Sequence, residues 1–342
     1  MRAALIVGLS GEQLTAPERG FLAQVRPAGL ILFARNCISA GQIRALVAAA
    51  LDAIGSDDTL VLIDQEGGRV RRLRPPQWRE LPAAAQFAAI SATDPELACR
   101  YARLGAEIIA ADLRALGINT NCAPVLDLRI AGAHDIIGDR AYGATPAEVA
   151  KLGRAVGEGY IAGGVVPIIK HIPGHGRALA DSHFELPVVG TPRGELEATD
   201  FAPFRMLADM PAAMTAHVVY TAVDAELPAS ISAKVTAEVI RGHIGFDGFL
   251  MSDDLGMKAL AGSMHDLAEA VIRAGSDVAL HCSGDLAEME AAAGGVPALA
   301  GRALARFETA IAVTRSRQPL DVAAAEAALA AVIAHASGGA IS

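Results

Sequence analysis

Aromatic residues are scarce in this chain of 342 residues, at 4% with a single tryptophan. Together with abundant Ala and Gly, that scarcity argues for helices packed closely on a parallel sheet and against an antiparallel sandwich. Basic charge is also short. A formal net charge of −9 argues against a nucleic-acid partner, which would need a basic surface to neutralise phosphates, and none is expected. The four cysteines, Cys37, Cys99, Cys122 and Cys282, are far apart and form no CxxC pair. They read as small buried residues of a reducing compartment, not as a disulfide framework or zinc cluster. No uncharged apolar stretch is long enough to span a bilayer. The apolar start at residues 1–7 stops at Gly8-Leu9-Ser10, Glu12 follows, and there is no small-residue cleavage site, unlike a signal peptide. The expectation is a cytoplasmic protein with no membrane partner. There is no Pro/Ser tract or charge run to mark a domain linker.

What is present is a repeating alternation. Short apolar runs rich in Val, Ile and Leu fall at 4–9, 29–34, 60–64, 118–127, 165–171, 212–218, 248–253 and 278–282. Between them lie segments of helical period: Ile43, Leu46, Val47, Ala50, Leu51 and Ile54 in one, Val149, Leu152, Val156 and Tyr160 in another, Leu267, Val271 and Ile272 in a third. Strands alternating with helices predict an α/β fold, a (β/α)8 barrel of the TIM type. An open doubly wound sheet is the alternative, weakened because no Gly-rich dinucleotide fingerprint follows the first run. Residues 1–342 are expected to form one catalytic barrel domain, with an outer C-terminal helix near 321–336. Two connections, 128–143 and 172–191, are longer than usual and so are candidates for function.

Charged residues gather where the apolar runs end. Asp64 ends the third run, Asp127 the fourth, Lys170 and His171 the fifth, His217 the sixth, and Asp253-Asp254 the seventh. In a barrel these ends converge on one face, where catalytic groups sit. The densest segment is Lys170-His171-Ile172-Pro173-Gly174-His175-Gly176, followed by Asp181-Ser182-His183. It admits a metal site, with His171, His175 and His183 as ligands and Asp181 behind them. It also admits an acid–base dyad in which Asp181 orients His183. Lys170 would repel a cation, so the dyad is preferred and no metal or cofactor is expected. Asp64-Gln65-Glu66-Gly67-Gly68-Arg69 offers paired glycines for close backbone approach and polar groups for hydroxyls. Gly138-Asp139-Arg140 reads as a turn with a solvated pair. Asp253 is the strongest carboxylate, but alternation sends Asp253 and Asp254 to opposite faces, and the period does not say which reaches the site.

These blocks resemble glycoside hydrolase family 3, in its single-domain bacterial β-N-acetylglucosaminidase branch. The resemblance rests on Lys170–Gly176 with Asp181–His183, on 64–70, Asn121–Asp127, Ile137–Arg140 and Met214–His217, and on Ser252–Leu255. It implies Asp253 as nucleophile and His183, held by Asp181, as acid/base, where most glycosidases use a second carboxylate. It implies Asp64, Arg69, Arg140, Lys170 and His171 as the residues that hold a terminal N-acetylglucosamine. A retaining glycosidase needs this pairing of a carboxylate below the anomeric carbon with a proton donor at the leaving oxygen. The implied substrate is a small carbohydrate, a muropeptide or chitobiose-like sugar containing N-acetylglucosamine, handled by a monomer in cell-wall recycling. Glu185 is a spare carboxylate that could compete with His183. Other readings are a broader β-glycosidase, a phosphorylase, a metal-dependent hydrolase and an inactive sugar-binding barrel.

Overall fold

The computed structural model describes residues 1–178 and 185–338. Parallel strands follow chain order around a closed barrel: β1 (Ala3–Gly8), β2 (Pro27–Leu32), β3 (Leu60–Ile63), β4 (Thr120–Asn121), β5 (Val166–Ile172), β6 (Ala212–Thr215), β7 (Phe249–Asp254) and β8 (Val278–His281). Closure occurs where Leu5, Ile6 and Val7 of β1 pair with Ala279, Leu280 and His281 of β8. In an open sheet those two strands would not meet, so the doubly wound alternative is overturned and the fold is a (β/α)8 barrel. Its strands are apolar on both faces because both faces are covered. Ile6, Leu62, Ile168 and Met251 belong to the cluster inside the barrel, while their neighbours Leu5, Val61, Ile169 and Leu250 pack outward against the helices.

The fourth apolar run is the least regular. Only Thr120–Asn121 pairs as a strand, with an isolated bridge from Val125 to Lys170 further on. Pro124 has no N–H to give to a ladder, so the run cannot continue as one strand. The helical segments follow their period closely. Ser39 accepts the Gln42 N–H at the start of the helix Ala40–Ile54, and Gly55, at φ 68°, ends it. Ile43, Leu46, Val47, Ala50 and Ile54 are buried there, as are Val149, Leu152, Val156 and Tyr160 of the helix Pro146–Ala162. The N-terminal end of the barrel is plugged by the helix Gly301–Ala312, whose Phe307, Ala310 and Ile311 join the interior cluster. Phe307 meets Phe249 edge-on at 5.7 Å. A last helix, Val322–Gly338, buries Leu329 near Gly105 on the outside. Among the described residues no helix is long and apolar enough to cross a membrane.

Candidate active site

At the C-terminal ends of the strands lies a cavity of about 250 Å³. Its polar wall includes Asp64, Arg72, Arg140, Lys170, His171 and Asp253, and Phe33, Met214 and Leu280 supply apolar surface. Lys170 is the hub. Its Nζ lies 2.8 Å from Asp64 Oδ1 and 2.7 Å from Glu66 Oε1, and only 3% of the side chain is exposed. Arg72 donates to Asp64 Oδ2 at 2.9 Å while its guanidinium sits 5.1 Å from the Phe33 ring centre. Arg140 holds both oxygens of Glu66 in a two-pronged pair at 2.9 Å each.

The electrostatics follow from this packing. Burial pushes the Asp64 and Glu66 carboxyls up, but the cations pull harder. Lys170 and Arg72 hold Asp64 well below the usual carboxylate range, and Arg140 with Lys170 takes Glu66 down to about 2. Burial alone would favour a neutral amine at Lys170, but the two carboxylates raise its pKa above the ordinary value. The wall therefore presents fixed charges, and one of the three ammonium N–H groups of Lys170 is not used by these carboxylates.

His171 is held from behind. Its Nδ1 is 2.6 Å from Asp127 Oδ2, and Asp127 Oδ1 also accepts the His175 N–H at 2.6 Å. Asp127 is fully buried, and its carboxyl is lowered because these imidazoles and N–H groups outweigh the opposing effect of burial. Burial, with His171 nearby, depresses His175 to about 4.

Strict alternation would put Lys170 and His171 on opposite faces, yet both line the cavity; pairing of β5 with β6 shifts register between Lys170 and Ile172. The same occurs on β7. Asp253 and Asp254 both line the cavity, against the expectation of one, and pairing with β8 shifts register between Met251 and Asp254. Their uses differ. Asp254 Oδ1 accepts the N–H groups of Gly256 and Cys282, each at 3.0 Å. Among the described residues, the Asp253 side chain accepts only the Asp254 N–H, at 2.8 Å. Burial pushes the Asp253 carboxyl up, but His217, His171, that N–H and Lys170 together leave it lowered and ionised.

Arg69, expected to hold the sugar, is placed elsewhere by the structure. Arg69 does not line the cavity: it binds Asp139 at 2.6 Å and the carbonyls of Asp135, Ile136 and Ile137, tying the hairpin after β3 to the long connection at 128–143. Its guanidinium is occupied, and Arg72 lines the cavity instead. Arg140 is no solvated member of a turn either, but a buried partner of Glu66. Glu66 and Arg72 were the residues missed; the only sequence signal was a clustering of charges around the Gly67-Gly68 pair. Asp181 and His183 lie outside the described residues. Glu185 is exposed and does not line the cavity. Among the described residues, the one group of His, Cys, Asp and Glu spaced to share an ion is the exposed set His265, Asp266 and Glu269, away from this cavity.

An ionised carboxylate facing fixed cations and hydroxyl-binding groups, at the mouth of a (β/α)8 barrel, is the arrangement of a glycoside hydrolase. The profile of the glycosyl hydrolase family 3 N terminal domain matches residues 6–315. A beta-hexosaminidase from Alkalilimnicola ehrlichii is 42% identical over 283 residues, 82% of this chain and 80% of its own length. The structure of NagZ from Neisseria gonorrhoeae in complex with N-trifluoroacetyl-D-glucosamine superposes with a TM-score of 0.85 at 32% identity, over 97% of this chain and 98% of that one. A family 3 β-N-acetylglucosaminidase from Paenibacillus gives 0.82 at 32% identity over 93% of this chain, which spans only 62% of that longer protein. The chain belongs to glycosyl hydrolase family 3.

Proposed function

We propose that this chain, a glycoside hydrolase of the β-N-acetylhexosaminidase type, removes terminal β-linked N-acetylglucosamine with retention, through a covalent ester on Asp253. The observation that carries this reading is the lowered carboxylate of Asp253, which shares a cavity with Asp64, Arg72, Lys170 and His171. Those four, with Arg140 behind them through Glu66, suit the hydroxyls of a terminal sugar. An Asp253 oxygen attacks the anomeric carbon as the glycosidic C–O bond breaks, and the leaving oxygen takes a proton from His183. His183 then removes a proton from water, which displaces the ester and restores the carboxylate. The assignment of His183, oriented by Asp181, rests on the sequence motif. The substrates inferred are 1,6-anhydro-muropeptides of cell-wall recycling, met in the cytoplasm by a monomer.

Asp253→Asn keeps the shape and removes the attacking charge, so turnover of an aryl β-N-acetylglucosaminide should fall by roughly three orders of magnitude or more. Asp254→Asn should act through stability instead. Full activity in Asp253→Asn would sink the nucleophile assignment. His183→Ala should lose far more rate on a disaccharide than on an aryl glycoside whose phenolate leaves unaided, whereas Glu185→Ala should be nearly silent. The reverse pattern would make Glu185 the acid. Preference for the aryl N-acetylglucosaminide over the aryl glucoside tests the sugar, and the anhydro-muropeptide against chitobiose tests the leaving group.

A further inference from the structure

His217 closes the sixth apolar run, is fully buried, and is absent from the cavity wall. Its ring nevertheless has a partner at each nitrogen. The Ser230 hydroxyl lies 2.7 Å from Nδ1, and the Asp254 carbonyl oxygen lies 2.9 Å from Nε2. A carbonyl can only accept, so Nε2 carries a hydrogen and donates it. Ser230, also fully buried, partners Nδ1, so the ring is held at both ends.

We propose that His217 is a positioning residue for Asp253, acting through the backbone of Asp254. The peptide after Asp254 is clamped from both sides: its carbonyl by His217 and its N–H, that of Leu255, by the Leu280 carbonyl at 2.9 Å. The N–H of Asp254 in turn donates to Asp253 Oδ1 at 2.8 Å. A line of hydrogen bonds thus runs from Ser230 through the imidazole and the Asp254 backbone to the carboxylate. The clamp adjoins the β7–β8 register shift between Met251 and Asp254, where pairing resumes at Asp254 and Leu280. His217 is also foremost among the groups that counter the effect of burial on the Asp253 carboxyl. The ring never meets the sugar; it sets the direction of the oxygen that does.

This inference rests on Asp253 as nucleophile, and the experiment separates the two. His217→Leu removes both hydrogen bonds, His217→Gln restores a donor for the Asp254 carbonyl, and Ser230→Ala removes only the outer one. An activated 5-fluoro derivative of N-acetylglucosamine, which forms a slowly hydrolysed ester, is used to label the enzyme, with peptide mass spectrometry locating the label. In His217→Leu, the labelling rate and kcat on an aryl glycoside should fall about 10- to 100-fold, with KM within about threefold, because small misplacement of a reacting atom acts on the transition state. Gln should recover most of the loss, and Ser230→Ala should lose a few-fold in kcat. Melting temperatures are measured alongside. A His217→Leu enzyme with unchanged kcat, a Gln variant no better than Leu, or kcat and KM moving together with the melting temperature would overturn the inference. Should the Leu variant fail to fold, Ser230→Ala decides: reduced kcat at constant KM supports the clamp, and unchanged kcat overturns it. A label on a residue other than Asp253 in the unmodified enzyme overturns the nucleophile reading, and this inference with it.

Discussion

The Nδ1 atom of His171 lies 2.6 Å from an oxygen of Asp127, a carboxylate with no exposure to solvent. Asp127 is ionised and acceptor-only, so Nδ1 carries the hydrogen and Nε2 is the ring atom left for a ligand. Asp127→Asn keeps the shape but removes the charge and introduces a competing amide donor. Hydrogen bonds to charged groups are worth about 1.5–3 kcal/mol, so kcat/KM should fall about 10- to 100-fold. The loss should reside mainly in KM if His171 holds the sugar in ground and transition state alike. Steady-state kinetics on an aryl N-acetylglucosaminide would show this, and an unchanged KM would argue that His171 does not touch the sugar.

Arg69 and Arg72 are three positions apart but should behave differently. Arg72 meets Asp64 in the cavity, so Arg72→Ala should raise KM at least about tenfold through a lost charged hydrogen bond. Arg69 anchors the 135–139 backbone from outside the cavity, so Arg69→Ala should leave KM within about threefold and lower the melting temperature instead. Kinetics and thermal unfolding of the two variants side by side would expose a reversed assignment.

Glu66 ties stability to pH. Its carboxyl is depressed from an ordinary 4.5 to about 2, so its contribution is fully present above about pH 4.5 and is lost as pH falls through the folded value near 2. Asp64, also lowered, acts in the same direction. The melting temperature should therefore fall across that window. Glu66→Gln should fall less steeply there but start lower at pH 7, since Arg140 and Lys170 lose a buried counter-charge, a change of about 3–5 kcal/mol when a buried pair is broken. Equal slopes in the two proteins would assign the acid sensitivity to other carboxylates.

The sequence by itself determined the alternation of strands and helices and the strand ends that carry the chemistry, while closure into a barrel was decided by the pairing of β1 with β8. Apolar runs alternating with helical periods have few solutions that bury both, and charges placed at run ends converge once those runs are parallel. Asp64, Lys170, His171 and Asp253 were legible for that reason. Only the tertiary structure decided how the charges are shared. Glu66 and Arg140 are far apart along the chain, and their pairing has no periodic trace in it. The choice of Arg72 over Arg69 depends on how the hairpin Gln65–Gly67 and Val70–Arg71 turns, and the presence of both Lys170 and His171, or both Asp253 and Asp254, on one wall coincides with register shifts that alternation cannot express. The clamp of Ser230 and His217 on Asp254 is likewise a contact between three separate segments, fixed by packing at the barrel rim and not by any local pattern.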